Sequence, residues 1–383
     1  MGRLAPIPYG IDDLPAVQEQ RAAVIDLEEF GHLMAAGGPR SGRSQLLRTI
    51  ATSAAAANTV ADLHLYGIDC GNGALLPLAA LPHCGAVVTR TQTERAVRLI
   101  TRLGDEVSRR QDLLAEGGFA GIGEQRAAAG PGAGLPHILV LLDRWEGFTT
   151  SLGELAGGRL TDIITKILGE GASAGVHLVM TGDRSLIAGR IASMTEDKLA
   201  FRLPDRDDYA MIGLRPRDMP DHVPSGRGFR NGSGLETQVA LLAADSSGPG
   251  QAAAIATAAA AAQRRDQAVP AAGRPFRVDV LPARISFDEA WQLRPAGAAG
   301  SVDSVDSVGP LWAMVGVGGD ELTAVGPDLA DGVPVFITAG PAKSGRSTIL
   351  ATMARSLLAA GTQLVLVTPR PSPLRALAAQ PGV

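Results

Sequence analysis

The chain has 383 residues, 35 Lys+Arg and 39 Asp+Glu, so its formal net charge of −4 excludes a strongly basic protein. Hydrophobic residues make up 45% and charged residues 19%, which excludes wholesale disorder and, at this length, allows about two or three domains. Two cysteines cannot build a disulfide framework or a four-cysteine zinc site, and no apolar run is long enough to span a bilayer.

Apolar runs and helical spacing predict strands that alternate with helices. The first predicted strand, residues 32–36, precedes a glycine-rich loop and a segment with apolar residues at helical spacing. Further strands are predicted at residues 62–68, 138–142 and 176–180, and helices at residues 93–115, 160–169 and 251–265. This alternation predicts an α/β fold with a mostly parallel central sheet and helices on both faces.

The chain also repeats itself, which predicts its domain organisation. A second strand (residues 335–339), glycine loop and helix follow the pattern of the first. We predict a first P-loop domain at residues 1–268 and a connector at residues 269–310 that contains a Ser-Val-Asp repeat from Ser301. Residues 311–383 are predicted to be the N-terminal part of a second, similar domain. In the first domain, Asp143 directly follows the strand predicted at residues 138–142. The sequence ends before the corresponding position of the second domain, so we expect the chain to be part of a longer protein.

The two glycine loops both match the pattern G-x-x-x-x-G-[KR]-[ST]. In such a P-loop, backbone N–H groups surround phosphates at a helix N-terminus, a cation contacts the phosphates, and a hydroxyl binds Mg²⁺. One match could be a chance glycine turn, but two in the same context favour nucleotide binding, with ATP and Mg²⁺ as cofactors. The predicted nucleotide-binding residues are Gly37, Gly38, Pro39, Arg40, Ser41, Gly42, Arg43, Ser44 and Gln45 in the first loop, and Gly340, Pro341, Ala342, Lys343, Ser344, Gly345, Arg346, Ser347 and Thr348 in the second.

Departures from the standard P-loop pattern predict weak or absent hydrolysis. Both loops carry Arg, at positions 43 and 346, where Lys is standard, and the planar guanidinium need not fit the pocket of an ammonium group. In active ATPases with this loop, a Glu follows the Asp at the end of the strand and orients the attacking water; here Arg144 follows Asp143 instead. Glu146 is a less suitable replacement, because neighbouring residues at a strand end point in different directions.

Three other polar residues are candidates for the site. Asp143 ends a predicted strand, where it would hold Mg²⁺ through water opposite Ser44, or would merely cap a turn. Ser347 is the corresponding Mg²⁺ ligand of the second loop. Thr181 ends another predicted strand and is either a sensor of the γ-phosphate or a turn residue.

The remaining polar and sulfur-containing residues are assigned no chemistry. Asp69 is predicted to stabilise a turn, and Cys70 and Cys84 are predicted to be buried small hydrophobic residues. Five histidines adjoin apolar runs without metal-ligand spacing: His32, His64, His83, His137 and His177.

The chain resembles the FtsK/SpoIIIE family of P-loop motor ATPases and, within it, the tandem ATPase domains of EccC, the motor subunit of type VII secretion. The resemblance extends well beyond the loops, over residues 4–243 and, less closely, residues 333–366. The matching segments are PYGIDDLPAVQEQ, GHLMAAGGPRSGRSQLLRTI, YGIDCGNGALLPLAALPHCGAVV, VLLDRWEGF, GVHLVMTGDR, FRLPDRDDY and MPDHVPSGRGF.

The resemblance implies a RecA-like fold at the cytoplasmic face of a bacterial plasma membrane. Implied partners are other ATPase domains of the same chain, neighbouring copies in a hexamer-like assembly, and a secreted protein substrate or membrane secretion components, with DNA as the alternative. Asp143-Arg144-Trp145 resembles the Asp-x-Trp form of degenerate EccC-like domains. In DNA-pumping members an arginine finger follows the strand of LAFRLPDRDDYA, where our alignment places Ala210, with Arg206 the nearest cation.

Three functions therefore compete. The first is an ATP-binding regulatory or assembly module of a secretion motor, and the second is an ATP-dependent translocase of double-stranded DNA. A DNA pump needs a basic stripe that follows the phosphates, whereas no run of Lys and Arg here exceeds two residues. This favours the secretion module. A third reading, a scaffold that binds no nucleotide, requires both loops to be relics.

Overall fold

The computed structural model describes residues 4–130, 133–295, 309–330, 335–369 and 371–383. The chain divides into two compact units, Met1–Val278 and Asp279–Val383. The Ser-Val-Asp repeat that the sequence analysis singled out from Ser301 lies outside the described residues.

A ten-stranded sheet organises the first unit. Its strands are β1 (Ile7–Leu14), β2 (Glu19–Ile25), β3 (Leu33–Ala36), β4 (Leu63–Asp69), β5 (Cys84–Thr89), β6 (His137–Asp143), β7 (Val176–Gly182), β8 (Asp197–Ala200), β9 (Arg227–Arg230) and β10 (Glu236–Val239). They lie in the order β2-β1-β10-β9-β8-β3-β7-β6-β4-β5. Strands β8 to β5 in this order are parallel, and the other four extend the sheet by antiparallel pairing.

Helices cover both faces of this sheet. They are α1 (Arg43–Ala57), α2 (Thr93–Glu116), α3 (Ile122–Ala129), α4 (Trp145–Phe148), α5 (Arg159–Glu170), α6 (Arg190–Ser193) and α7 (Gly248–Arg265). Because side chains alternate along a strand, Leu139 and Leu141 of β6 join one core with α1 and α7, whereas Ile138 and Val140 join the other core with α2 and α5. The predicted α/β fold, with a mostly parallel sheet between two helical layers, is confirmed.

The parallel strands place polar residues at one edge of the sheet. The carboxyl ends of β3, β6 and β7 are neighbours, since β3 pairs with β7 and β7 pairs with β6. Open α/β sheets bind their ligands at this edge. The first glycine loop, Asp143 and Thr181 follow or end these three strands, so the fold brings them together although they are far apart in sequence.

The second unit is smaller and contains α8 (Phe287–Gln292), the hairpin β11 (Gly316–Gly318) and β12 (Thr323–Val325), and α9 (Arg346–Ala359). The strand predicted at residues 335–339 is wrong: these residues have no strand structure, and Val335 and Ile337 are 64% and 81% exposed. In the first unit, β3 pairs with β7 on one side and with β8 on the other. The described residues of the second unit supply no such partner strands.

Candidate nucleotide-binding site

The first glycine loop joins β3 to α1, and close packing explains both of its pattern glycines. A Cβ atom at Gly37 would lie 2.5 Å from Ser41 Oγ. Gly42 has φ of +109°, and a Cβ atom there would lie 2.8 Å from the backbone nitrogen of Gly226. Only glycine combines this left-handed conformation with so close an approach. The glycines of the predicted pattern therefore have a structural cause.

The N-terminus of α1 is open to an anion. The residue before the helix is Gly42, and no side chain caps the first N–H groups. Uncapped N–H groups and the helix dipole favour a phosphate at this position. The hydroxyl of Ser41, which is buried, also has no hydrogen-bond partner among the described residues. These features fit the phosphate chain of a nucleotide.

A cavity of about 560 Å³ lies against this end of α1. Residues 40–45 of the loop and Arg144 line it, together with residues of the β9–β10 region: Ser225, Gly226, Gln238, Val239, Leu241 and Ser246. Three predicted loop residues, at positions 37–39, do not line the cavity. The backbone N–H of Gly38 donates to the carbonyl of Arg202 over 2.8 Å, and the Arg202 side chain donates to the carbonyl of Pro39.

Ser44, Asp143 and Thr181 form one hydrogen-bonded group. Ser44 Oγ donates to Asp143 Oδ2 over 2.8 Å, and Thr181 Oγ1 donates to Asp143 Oδ1 over 2.6 Å. Asp143 is fully buried, and burial raises the pKa of its carboxyl group, against the opposing effect of the two hydroxyl hydrogen bonds. The structure thus brings together three residues that the sequence placed on three separate segments.

This hydroxyl and carboxylate pair suits Mg²⁺ but not a metal held by protein alone. Among the described residues, no group of three or more His, Cys, Asp or Glu side chains could hold a metal ion. Mg²⁺ usually binds one or two protein oxygens and completes its octahedron with water and phosphate oxygens. Ser44 and Asp143 fit that pattern.

Arg144 follows Asp143 in a left-handed conformation, with φ of +68°. Its backbone N–H donates to Thr181 Oγ1 over 3.1 Å, and its side chain lines the cavity. It has no carboxylate partner within 4 Å among the described residues. A cation therefore follows Asp143 at the position where the sequence analysis looked for a water-orienting Glu.

Arg43, the cation of the loop, forms an ion pair with Glu146, which the sequence did not suggest. Arg43 Nη1 lies 3.1 Å from Glu146 Oε1, and the Arg43 side chain is only 10% exposed. The second carboxylate oxygen, Glu146 Oε2, accepts from the backbone N–H of Asp183 over 3.1 Å. Both oxygens of Glu146 are engaged, so neither is free to orient water in this arrangement.

The second glycine loop repeats the backbone of the first. Lys343 and Gly345 have φ of +66° and +93°, and Arg40 and Gly42 have +58° and +109°. A Cβ atom at Gly340 would lie 2.5 Å from Ser344 Oγ, as at the first loop. Helix α9 begins at Arg346 without a side-chain cap. The loop residues 340–344 and Thr348 are exposed and Ser347 is half-buried, and within the described part of this unit Ser347 has no hydrogen bond to a carboxylate.

The remaining sequence predictions concern residues outside the cavity. Asp69 has the predicted turn role: its carboxylate accepts from the backbone N–H groups of Gly71 and Leu75 over 2.9 and 2.8 Å. Cys70 and Cys84 are buried as predicted, and burial raises the pKa of each thiol to about 12. Thiols with so high a pKa are unreactive at neutral pH.

The segment in which an arginine finger was sought is a 3₁₀ helix, Arg206–Ile212. Arg206 Nη1 lies 2.7 Å from Asp221 Oδ1, and its other guanidinium nitrogens donate to the carbonyls of Pro216 and Met219. Ala210 is exposed. Within this unit Arg206 thus has a local structural role.

Comparison with known proteins agrees with this geometry. Residues 9–186 match the model of the FtsK/SpoIIIE family, a range that includes the first glycine loop, Asp143 and Thr181. The chain is 27% identical over 370 residues to the ESX-1 secretion system protein EccCb1 of Mycobacterium tuberculosis. That match covers 91% of this chain and 58% of EccCb1, so the chain spans less than two thirds of this curated relative.

Two solved structures are similar to the chain. EssC (ATPases 2 and 3) from Geobacillus thermodenitrificans has a TM-score of 0.74 and 22% identity, over 95% of this chain and 66% of that one. Thermomonospora curvata EccC (ATPases 2 and 3), in complex with a signal sequence peptide, has a TM-score of 0.64 and 26% identity, over 93% of this chain and 61% of that one. The EssC comparison shows a shared fold.

Proposed function

Residues 9–186 are an FtsK/SpoIIIE-family domain, and from this premise we propose that the first unit is an ATP-binding module of a type VII secretion motor, with little or no hydrolysis of its own. The observation that carries the proposal is the group formed by Ser44, Asp143 and Thr181 beside an uncapped α1 N-terminus. It supplies the parts that bind nucleotide, while Arg144 replaces the part that activates water.

Binding follows from the groups that line the cavity and from the buried residues bonded to Ser44 beside it. The N–H groups at the start of α1 would hold the phosphates, and the Ser44 hydroxyl and Asp143 carboxylate would hold Mg²⁺, directly and through water. When bound, Mg²⁺ neutralises phosphate charge. Thr181 keeps the Asp143 carboxylate oriented toward Ser44 through its 2.6 Å hydrogen bond. The second loop has the same backbone, but Ser347 has no hydrogen bond to a carboxylate in the part of the unit that the structure describes, so this loop would bind phosphates more weakly.

Slow hydrolysis follows from the same site. In-line attack on the terminal phosphate needs a group that positions and polarises water. Arg144 cannot accept a proton from water, and both oxygens of Glu146 are occupied by Arg43 and Asp183. A module that binds ATP without turning it over is suited to regulation or assembly of a motor.

Two observations favour a function in protein secretion over DNA transport: the similarity to EccCb1 and the negative net charge of the chain. EccCb1 is similar over 91% of this chain, and the net charge of −4 offers no basic footprint for a DNA track. A DNA translocase is therefore not favoured. We propose as partners a segment of a secreted protein, other ATPase domains and neighbouring copies in a hexamer-like assembly, at the cytoplasmic face of the bacterial plasma membrane.

The membrane part of such a motor is not supplied by the residues described. No helix among them combines the length and apolar character that crossing a bilayer requires.

The deciding experiment is titration of labelled Mg-ATP against the wild-type chain and Ser44→Ala. Loss of the hydroxyl should weaken binding at least tenfold when Mg²⁺ is present and much less in EDTA. Ser53→Ala, on the same helix but outside the cavity, is the matched control. Equal affinity for wild type and Ser44→Ala, or no binding by wild type, would contradict the proposal.

A further inference from the structure

We propose that Arg144, rather than the loop cation Arg43, contacts the terminal phosphate and makes the first site select nucleoside triphosphate over diphosphate. The inference rests on the proposed nucleotide site and adds which side chain reads the length of the phosphate chain. It depends on two observations: Arg43 is paired with Glu146, and Arg144 lines the cavity with no carboxylate within 4 Å among the described residues.

Arg43 is held away from the role that a P-loop cation usually has. Its guanidinium is paired with Glu146 at 3.1 Å, and the two side chains are 10% and 30% exposed. Glu146 is itself fixed by the backbone N–H of Asp183. To contact a phosphate, Arg43 would have to leave a carboxylate that stays behind, partly buried and without its cation. Exchanging one anion for another in this way gains little binding free energy.

Arg144 has the opposite situation. Its guanidinium has no carboxylate within 4 Å among the described residues, and it lines the cavity. A half-buried cation that lines the cavity and forms no ion pair within 4 Å among the described residues is available for an anionic ligand. The planar fork of Arg suits two phosphate oxygens at once.

The backbone fixes where this side chain lies. The left-handed conformation of Arg144 costs free energy in any residue other than glycine, and the hydrogen bond from its N–H to Thr181 Oγ1 holds it there. Gly71 lies alongside: a Cβ atom at that position would be 3.0 Å from Arg144 Nε. The absence of a side chain at Gly71 therefore leaves room for the Arg144 stem.

The location explains why the contact should depend on the terminal phosphate. Arg144 directly follows Asp143, which is bonded to Ser44 at the proposed Mg²⁺ position, and its side chain lines the same cavity as the start of α1. Because Mg²⁺ in P-loop sites binds the outer phosphates, a cation beside its ligands would lie nearest the terminal phosphate. A diphosphate ends before that point. The same replacement thus has two effects: it removes the group that orients water, and it adds a group that detects an intact triphosphate.

The test measures dissociation constants of Mg-ATP and Mg-ADP for the full chain and its variants by calorimetry. Arg144→Gln should weaken ATP at least tenfold and ADP less than threefold, so that the preference for ATP is lost. Arg144→Lys should give an intermediate ATP affinity. Arg43→Gln should weaken ATP and ADP by the same factor. Arg217→Gln, which removes an exposed arginine far from the cavity lining, should change neither.

Retained ADP binding by Arg144→Gln shows that this variant is folded. Equal weakening of ATP and ADP by Arg144→Gln, or a selective loss of ATP in Arg43→Gln, would overturn the inference while leaving the proposed function intact. Failure of the wild-type chain to bind any nucleotide would overturn both.

Discussion

Arg43 and Glu146 lie 103 residues apart in the sequence and form an ion pair with 3.1 Å between Nη1 and Oε1. Arg43 opens α1, and Glu146 belongs to the short helix α4 that follows β6. The cation of the glycine loop is thus neutralised by a protein carboxylate rather than left free for a ligand. In the proposed site, a phosphate could reach the Arg43 guanidinium only by competing with Glu146.

Glu146→Gln should strengthen Mg-ATP binding about threefold to tenfold, corresponding to roughly 1 kcal/mol, a typical strength for a partly exposed ion pair. The amide oxygen can still accept from Asp183, so only the pairing with Arg43 is lost. Glu154→Gln, an exposed residue of the same segment, is the control. The gain should disappear in the Arg43→Gln/Glu146→Gln double variant. A gain that survives there would come from the general loss of negative charge.

The wild-type chain should hydrolyse ATP far more slowly than about 1 s⁻¹, the lower end of the range of kcat values typical of enzymes. The reason is that, in the proposed site, Arg144 replaces the carboxylate that would orient water. Steady-state release of phosphate is the measurement, with Asp143→Ala as the background. A rate above about 1 s⁻¹ that Asp143→Ala abolishes would show that another group activates water, and Glu146→Gln would then identify it.

Gly42→Ala should destabilise the first unit more than Gly118→Ala does. Both glycines have positive φ, +109° and +69°, so each alanine meets the cost of the left-handed region, about 1–2 kcal/mol. Only at Gly42 would the new Cβ contact backbone, 2.8 Å from the nitrogen of Gly226, whereas Gly118 faces open space. Urea unfolding of the two variants checks this difference. An equal decrease in the free energy of unfolding for both variants would mean that the glycine loop shifts away from Gly226 without energetic cost.

Four of the six parallel strands, β3, β4, β6 and β7, and both glycine loops could be predicted because their signals are local. Strands β4, β6 and β7 are buried along their whole length and read as continuous apolar runs. The antiparallel strands were not predicted, since β9 and β10 have only four residues each and β1 alternates buried with exposed positions. Short strands of this kind depend on their neighbours more than on their own composition.

The site could be predicted only in part. A glycine pattern fixes the P-loop, and a polar residue at the end of an apolar run marks Asp143 and Thr181. The partner of Arg43 could not be inferred, because a pairing across 103 residues depends on how α1 and α4 meet. The strand at residues 335–339 was mispredicted for the same reason: an apolar run becomes a strand only when other strands lie beside it, as β7 and β8 do for β3.

Acid should destabilise the first unit through buried histidines. His177 Nδ1 lies 3.0 Å from the Gly31 carbonyl and must donate, so His177 Nε2 accepts from His137 Nδ1, also over 3.0 Å. His32 Nδ1 accepts from the backbone N–H of Leu178. Because Nε2 of His177 and Nδ1 of His32 are acceptors, these two rings must be neutral. Burial lowers the pKa of His177 and of His32 to about 4 and the pKa of His137 well below its usual value.

Because these pKa values lie below the value of about 6.5 in the unfolded chain, the unfolded state binds protons first as the pH falls. Their contribution to stability is therefore complete above pH 6.5 and is lost progressively between about pH 6.5 and pH 4. We expect a loss on the order of 2 kcal/mol per histidine between pH 7 and pH 5.

Urea unfolding at pH 7, 6 and 5 measures this slope. His32→Asn keeps an acceptor for Leu178 but cannot titrate, so it should flatten the slope by one histidine. His222→Gln, at an exposed position, should leave the slope unchanged. Identical slopes for wild type and His32→Asn would contradict the assignment.

Binding of duplex DNA should be no tighter than the roughly 10⁻⁶ to 10⁻⁴ M of non-specific contacts near physiological salt. A DNA pump must neutralise phosphates, yet many cations of the first unit already face carboxylates: Arg109 pairs with Glu106, Arg227 with Glu236, and Arg230 with Asp197. Their release would cost the ion pairs that they form. A protein partner, recognised through apolar and backbone contacts, makes no such demand.

Fluorescence anisotropy of labelled duplex over a salt series, with and without Mg-ATP, is the measurement, because an assembly induced by nucleotide could bind DNA that a single chain cannot. The charge-reversal variant Arg215→Glu/Arg217→Glu removes two arginines whose side chains are 72% and 78% exposed. If the chain is a secretion module, this variant should change the affinity for duplex DNA little, because the wild type binds little DNA. Nanomolar affinity in the wild type, falling steeply with salt and abolished by the charge reversal, would instead restore the DNA translocase.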